Sequence, residues 1–223
     1  MDVRLFVKAI IRFLLGLVLV AALLFVPAGT TEYWQARLLI GILFIPMFIA
    51  GLVIMVKSPE RLEKRLNARE EQGEQRVVIA LSAILFIAAF AAAGLSFRFS
   101  WLMLPAWVSY AAAVVFLASY VLYAEVIREN EWLSRTIEVQ EGQKVVDTGL
   151  YGIVRHPMYM CTILLFLSMP MVLGSLISFL IMLLYIPIIA KRIRNEEKVL
   201  EEGLDGYIEY EKKVRYRMIP FVW

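Results

Sequence analysis

Residues 160–190 read MCTILLFLSMPMVLGSLISFLIMLLYIPIIA, thirty-one positions without a charge. The run is too long for one comfortable bilayer crossing, which takes about 20 residues. Pro170 and Gly174 break it in the middle. Each half holds about 14 to 16 residues, roughly 21–24 Å as helix, against a hydrocarbon core of about 30 Å. A tight or re-entrant helical hairpin accommodates both halves, and its entry and exit then lie on one face of the membrane.

The rest of the chain agrees with that reading. Hydrophobic residues make up 61% of the 223 positions and charged ones only 19%, below the roughly 25% charge of an ordinary soluble domain. Four more apolar segments precede the hairpin, at about 5–26, 38–56, 77–97 and 101–127, each close to the length of a span. Arg4, Lys8 and Arg12 recur every four residues and share one helical face, from which their stems can snorkel to headgroups. Basic residues ahead of an apolar run and then Ala28 and Gly29 outline a signal peptide, but the later spans and the charge pattern fit a retained first helix. If the N-terminus is cytosolic, the outer connectors carry only Arg37 and Arg98 among lysines and arginines, provided that the hairpin returns to its starting side. The densely charged stretch Lys57–Arg76 reads as a solvated connector, with a short surface helix starting at Ser58 and Pro59.

The expected fold is therefore an all-α integral membrane protein. It has four full transmembrane helices, a hairpin over 160–190 and a chemistry-bearing segment on the cytosolic face. Residues 1–127 form the N-terminal transmembrane part and 128–223 the C-terminal part, with a tail helix in the cytosol. One cysteine, Cys161, and one histidine, His156, exclude an intrachain disulfide, a Cys-rich zinc site and a histidine cluster. No metal is expected. No Gly-x-Gly occurs, so the dinucleotide fingerprint is absent. The expected partners are the bilayer and a lipophilic substrate, with no nucleic acid.

The polar residues able to do chemistry flank the hairpin. Before it runs Gly149-Leu-Tyr151-Gly-Ile-Val-Arg155-His156-Pro157-Met158-Tyr159. Pro157 turns His156 away from helical geometry and suits a first helical turn, which places Arg155 and His156 at a helix N-terminus with anion-attracting N–H groups. After the hairpin comes Arg192-Ile-Arg-Asn-Glu196-Glu197-Lys-Val-Leu200, where Arg192 and Glu196 share a face. Tyr207-Ile-Glu-Tyr210, Arg217 and Pro220 follow. Taken singly, arginine and tyrosine at a membrane interface are anchors, a Glu-Glu pair is a solvated helix face, and Cys161 is a small core residue.

In this order and spacing the pieces resemble the isoprenylcysteine carboxyl methyltransferase family, from about Gln140 to Phe221. The resemblance implies S-adenosylmethionine as cofactor. It implies cofactor contacts at Gln143, Lys144, Val145 and Val146, at Tyr151, His156, Pro157, Met158 and Tyr159, and at Glu196, with Gln140 a more upstream contact. It ties Arg192 to substrate and catalysis, with Arg155 beside it as a second catalytic candidate. Tyr207, Tyr210 and Arg217 mainly dock the tail. Cys161 stands where family members often have glycine. The acceptor implied is the carboxylate of an isoprenylcysteine-like lipid. An amine, as in phospholipid N-methyltransferases, is the alternative within transferases. Sterol reductases, which use NADPH, share the Arg-His-Pro-x-Tyr run.

Overall fold

The structure, a computed structural model, describes residues 3–57, 63, 73–134 and 136–223. The surface helix expected from Ser58 lies outside the described residues. Among those described, eight α-helices form: α1 (Val3–Ala28), α2 (Trp34–Lys57), α3 (Gly73–Phe99), α4 (Ala106–Glu129), α5 (Pro157–Val172), α6 (Leu176–Met182), α7 (Tyr185–Gly203) and α8 (Tyr207–Lys213). A short 3-10 turn occupies Gly149–Gly152. No strand occurs among the described residues, and Met103 and Ser175 make one isolated antiparallel bridge.

An all-helical architecture suits a bilayer, because each backbone group finds its partner within its own segment. The outward faces are correspondingly apolar: Leu15 and Val18 are each 64% exposed and Val121 71%. Inward, α1, α2, α3, α4 and α5 share a core that includes Leu24, Leu39, Phe90, Phe116 and Met169. The core thus draws on both the 1–127 and the 128–223 parts. Close approach of α1 and α3 depends on Gly94, where a Cβ would sit 2.6 Å from the Leu24 carbonyl oxygen. Small residues at such crossings are how membrane helices gain packing that lipid cannot supply.

The hairpin departs from its expected form in two ways. Its tip reaches the end of the bundle where the long helices turn. Tyr33 Oη donates to the Leu173 carbonyl at 2.5 Å, Ser175 Oγ bonds Ser96 Oγ at 2.9 Å, and the Leu104 amide donates to Gly174 at 2.8 Å. Its second arm does not end near Ala190. After a break at Leu183–Leu184 it continues through the charged residues to Gly203. With four full spans expected, five segments are long and apolar enough to cross a membrane among the described residues, Leu176–Gly203 being the fifth. The physical reason is that α7 becomes amphipathic rather than stopping: Tyr185, Ile189, Ile193 and Glu197, four apart, stay buried while the other faces turn polar.

The first arm is the short one. Helix α5 has 16 residues and its antiparallel neighbour α4 has 24, a difference of about 12 Å at 1.5 Å per residue. The two helices are level at the hairpin tip, where Gly174 lies against Ser109. The shortfall therefore falls at the other end and leaves a recess in the bundle. The motif residues before Pro157 and the C-terminal tail fill its floor.

Candidate active site

The recess begins at the end of α4. Gly149 has φ +49°, and a Cβ there would lie 1.6 Å from Glu129 Oε1, so only glycine fits. Glu129 Oε2 accepts the Leu150 amide at 3.0 Å, which starts the 3-10 turn. The turn buries Tyr151. Its hydroxyl accepts from Asn130 Nδ2 at 2.9 Å, and its carbonyl accepts from Tyr210 Oη at 2.7 Å. Burial pushes the Tyr151 hydroxyl well above its ordinary pKa. Cys161 is fully buried and packs with Val126 and Tyr151, the core role expected of it.

Pro157 occupies the first helical position of α5, as expected. The amides ahead of it are not open to an anion. Arg155 N–H donates to Tyr216 O at 2.9 Å and His156 N–H to Arg217 O at 2.7 Å, while Tyr159 and Met160 donate back to His156 O. Proline has no N–H of its own. The tail thus occupies the Arg155 and His156 amides, two of the groups that the sequence places at this helix start.

Charge at the floor converges on Glu197, whose side chain is 2% exposed. Its Oε1 accepts from Arg155 Nε at 2.9 Å and Nη2 at 2.7 Å, its Oε2 accepts from Arg217 Nε at 2.5 Å, and His156 Nε2 lies 3.3 Å away. Arg155 is further committed through Nη1 to the carbonyls of Val214 and Arg215 and by an ion pair with Glu211. Its guanidinium fastens the tail to the motif. A buried carboxylate needs such a set of donors to offset its desolvation.

A second chain of bonds runs along the cleft. Arg192 Nε donates to Tyr159 Oη at 2.9 Å, and Tyr159 Oη in turn donates to Glu196 Oε2. Glu196 Oε1 is 3.7 Å from His156 Nδ1. Burial disfavours the protonated His156 imidazole, yet the Glu196 and Glu197 carboxylates outweigh it, and the net shift is upward. Arg192 Nη1 donates to Gln75 Oε1 at 3.1 Å, reaching the first turn of α3.

Above these groups lies a cleft, open on one side and walled by polar and apolar side chains. Gln143, Lys144, Val145 and Val146 line one wall. Tyr151, Arg155, His156, Met158, Tyr159, Arg192 and Glu196 line the floor and sides. Of the residues singled out by sequence, Gln140 and Pro157 do not line it. Gln140 instead braces the wall, donating from Nε2 to Trp132 O at 2.7 Å and from its amide to Gln143 Oε1 at 2.8 Å. Tyr207 and Tyr210, assigned to tail docking, also line the cleft, and the buried Tyr207 hydroxyl has no hydrogen-bond partner among the described residues. Asn130, Trp132, Glu197 and Gln75 were not singled out for a role. Only Glu197 had a readable signal, its place four residues after Ile193 on the buried stripe of α7.

Residues 111–202 match the family model described as the isoprenylcysteine carboxyl methyltransferase (ICMT) family. The chain is 32% identical over 91 residues to the Delta(14)-sterol reductase of Mus musculus, a match covering 40% of this chain and 22% of that protein. The match therefore spans under a quarter of that relative's length. Its fold is similar to the solved structure of the eukaryotic intramembrane Ras methyltransferase ICMT, with a TM-score of 0.56 over 93% of this chain and 74% of that one, at 18% identity. Residues 111–202, about two-fifths of the chain, thus carry the match to the isoprenylcysteine carboxyl methyltransferase family model, and the likeness to the solved methyltransferase is one of fold.

Proposed function

We propose that the chain is an S-adenosylmethionine-dependent methyltransferase of the membrane, that its acceptor is the carboxylate of an isoprenylcysteine-like lipid, and that its cleft faces the cytosol. Residues 128–223 are the catalytic part, and 1–127 frame it. The observation that carries this reading is the one cleft shared by Gln143–Val146, Tyr151, His156, Met158, Tyr159, Arg192 and Glu196. Its chemistry fits the cofactor. The Glu196 carboxylate suits a cationic ligand, the Val145 and Val146 side suits an apolar ring, and the unpartnered Tyr207 hydroxyl offers a hydrogen bond.

S-adenosylmethionine supplies a methyl group activated on a sulfonium sulfur. An acceptor carboxylate is already ionised near neutral pH, so no residue needs to remove a proton. The protein's task is placement and exclusion of water. Arg192, held by Tyr159 and Gln75, presents a planar donor fork suited to a carboxylate. Glu196 is oriented by Tyr159, and His156 acts as a positioning group between two carboxylates. Arg155 is a positioning residue that fixes motif and tail, and Gln140 and Pro157 shape the wall and the helix start.

Calorimetry of the purified chain with S-adenosylhomocysteine and NADPH tests the reading. Binding of the former only is expected, weakened in Tyr151→Ala, His156→Ala and Glu196→Ala by roughly 10- to 150-fold, the equivalent of one lost charged hydrogen bond. The identity with the sterol reductase supports a second, reductase-like reading. Binding of NADPH without S-adenosylhomocysteine would establish that reading instead.

A further inference from the structure

Gln75 is fully buried near the start of α3, 117 positions from its partner Arg192. Its Oε1 accepts from Arg192 Nη1, and its Nε2, also buried, has no hydrogen-bond partner among the described residues. Exchanging the two amide atoms would set N–H against N–H at Arg192, so this orientation is required by the arginine. A buried donor left without an acceptor is costly and rare, and it calls for an explanation. The two heteroatoms of a carboxamide share one carbon. The unpaired N–H group therefore lies beside the guanidinium that Oε1 holds. Gln75 is not among the residues lining the cleft, whereas its partner Arg192 is.

We propose that Gln75 is the acceptor-side positioning residue: it fixes the Arg192 fork and adds its own N–H as a further donor to the acceptor carboxylate, so that the pair selects a carboxylate over an amine. This rests on the methyltransferase reading above. In the step it serves, a carboxylate oxygen forms a bond to the methyl carbon as the sulfur–carbon bond breaks. The bonding pair stays on sulfur, and the products are a neutral methyl ester and S-adenosylhomocysteine. No proton moves. The donors of Gln75 and Arg192 act on the oxygen that does not react.

The test uses the purified full chain, S-adenosylmethionine labelled in its methyl group, and two acceptors. These are N-acetyl-S-farnesylcysteine, a carboxylate, and S-farnesylcysteamine, an amine. Gln75→Met removes donor and acceptor at similar size; Gln75→Glu keeps a partner for Arg192 but presents negative charge to the substrate. Both should raise KM for the carboxylate acceptor, by about tenfold for Gln75→Met and more for Gln75→Glu. Affinity for S-adenosylhomocysteine should stay within about twofold in both, and Gln75→Glu should relax the preference against the amine. Unchanged KM in both variants, with only the unfolding temperature moved, overturns the proposal, because a buried water or a packing role would give that result. Loss of S-adenosylhomocysteine affinity in both overturns it by placing Gln75 on the cofactor side. A wild-type chain that binds no S-adenosylhomocysteine overturns the underlying reading itself, a failure visible before any variant is made.

Discussion

Polar groups are buried at both ends of the helical bundle, but of different kinds. At the hairpin tip they are neutral: Tyr33, Gln35, Ser96, Ser109, Ser175 and Ser178 gather around the turn at Gly174. At the motif end they are ionic: Glu197 sits among Arg155, Arg217 and His156, and Glu196 beside Tyr159. Neutral groups in a low-dielectric interior ask only for short-range hydrogen bonds. Buried charges ask for a full complement of partners, and those partners come from the motif, α7 and the tail together. The tip is thus a clasp, while the motif end is an assembly whose parts depend on one another.

Substitutions at the two ends should separate them. Glu197→Ala leaves Arg155 and Arg217 without their shared carboxylate and should cost about 3–5 kcal/mol, read as a large fall in unfolding temperature and release of the tail to protease. At the tip, Gly174→Ala forces a Cβ onto a residue at φ +69°, within 3.4 Å of Gln35, Met103 and Ser109. The left-handed backbone alone should cost about 1–2 kcal/mol. Tyr33→Phe deletes one hydrogen bond to Leu173 while keeping the ring stacked on Phe97 at 4.3 Å, and should cost about 0.5–1.5 kcal/mol. If Tyr33→Phe proved as damaging as Glu197→Ala, the contrast between clasp and assembly would fail.

The smallest effect is the most selective. His156 holds its proton more tightly in the folded chain than at the ordinary value of about 6.5. Its contribution to stability is therefore fully present below pH of about 6.5 and is lost as pH rises through the folded value. Unfolding followed across that window should show stability declining with pH. His156→Gln should flatten the slope, and Tyr33→Phe should leave it unchanged. A wild-type slope of the opposite sign would place the neutral imidazole in the folded protein.

The sequence exposes these ends unequally. Long uncharged runs are visible without a structure, so the apolar segments and a turn at Gly174 could be read directly, whereas Pro170, expected to break the run, lies inside α5. The extent of the second arm could not. Lys191, Arg192 and Arg194 end the apolar run, but the helix continues on its buried stripe through Ile193 to Glu197. The linear motif likewise brings Tyr151, His156, Tyr159 and Glu196 to notice. It does not tell which of two adjacent glutamates is the hub. Only the phase of α7 decides that, sending Glu197 inward to the tail and Glu196 toward Tyr159. Gln75 and the tail carbonyls that occupy the Arg155 and His156 amides come from far along the chain, where local spacing carries no information.

The cleft's wall from Trp132 to Val146 is made differently from its floor. Gln140 bonds Trp132 O and Gln143 Oε1 within the stretch, and Val139 and Val145 hold it by apolar contact with Leu204, Tyr207 and Tyr210. No regular helix in that stretch has to keep its phase when residues are exchanged. The floor's ionic hub ties three distant segments and tolerates little change, whereas the wall is free to vary in length and composition. Substitutions in that one short loop can therefore reshape the cleft's wall at less cost to the fold than substitutions at its floor.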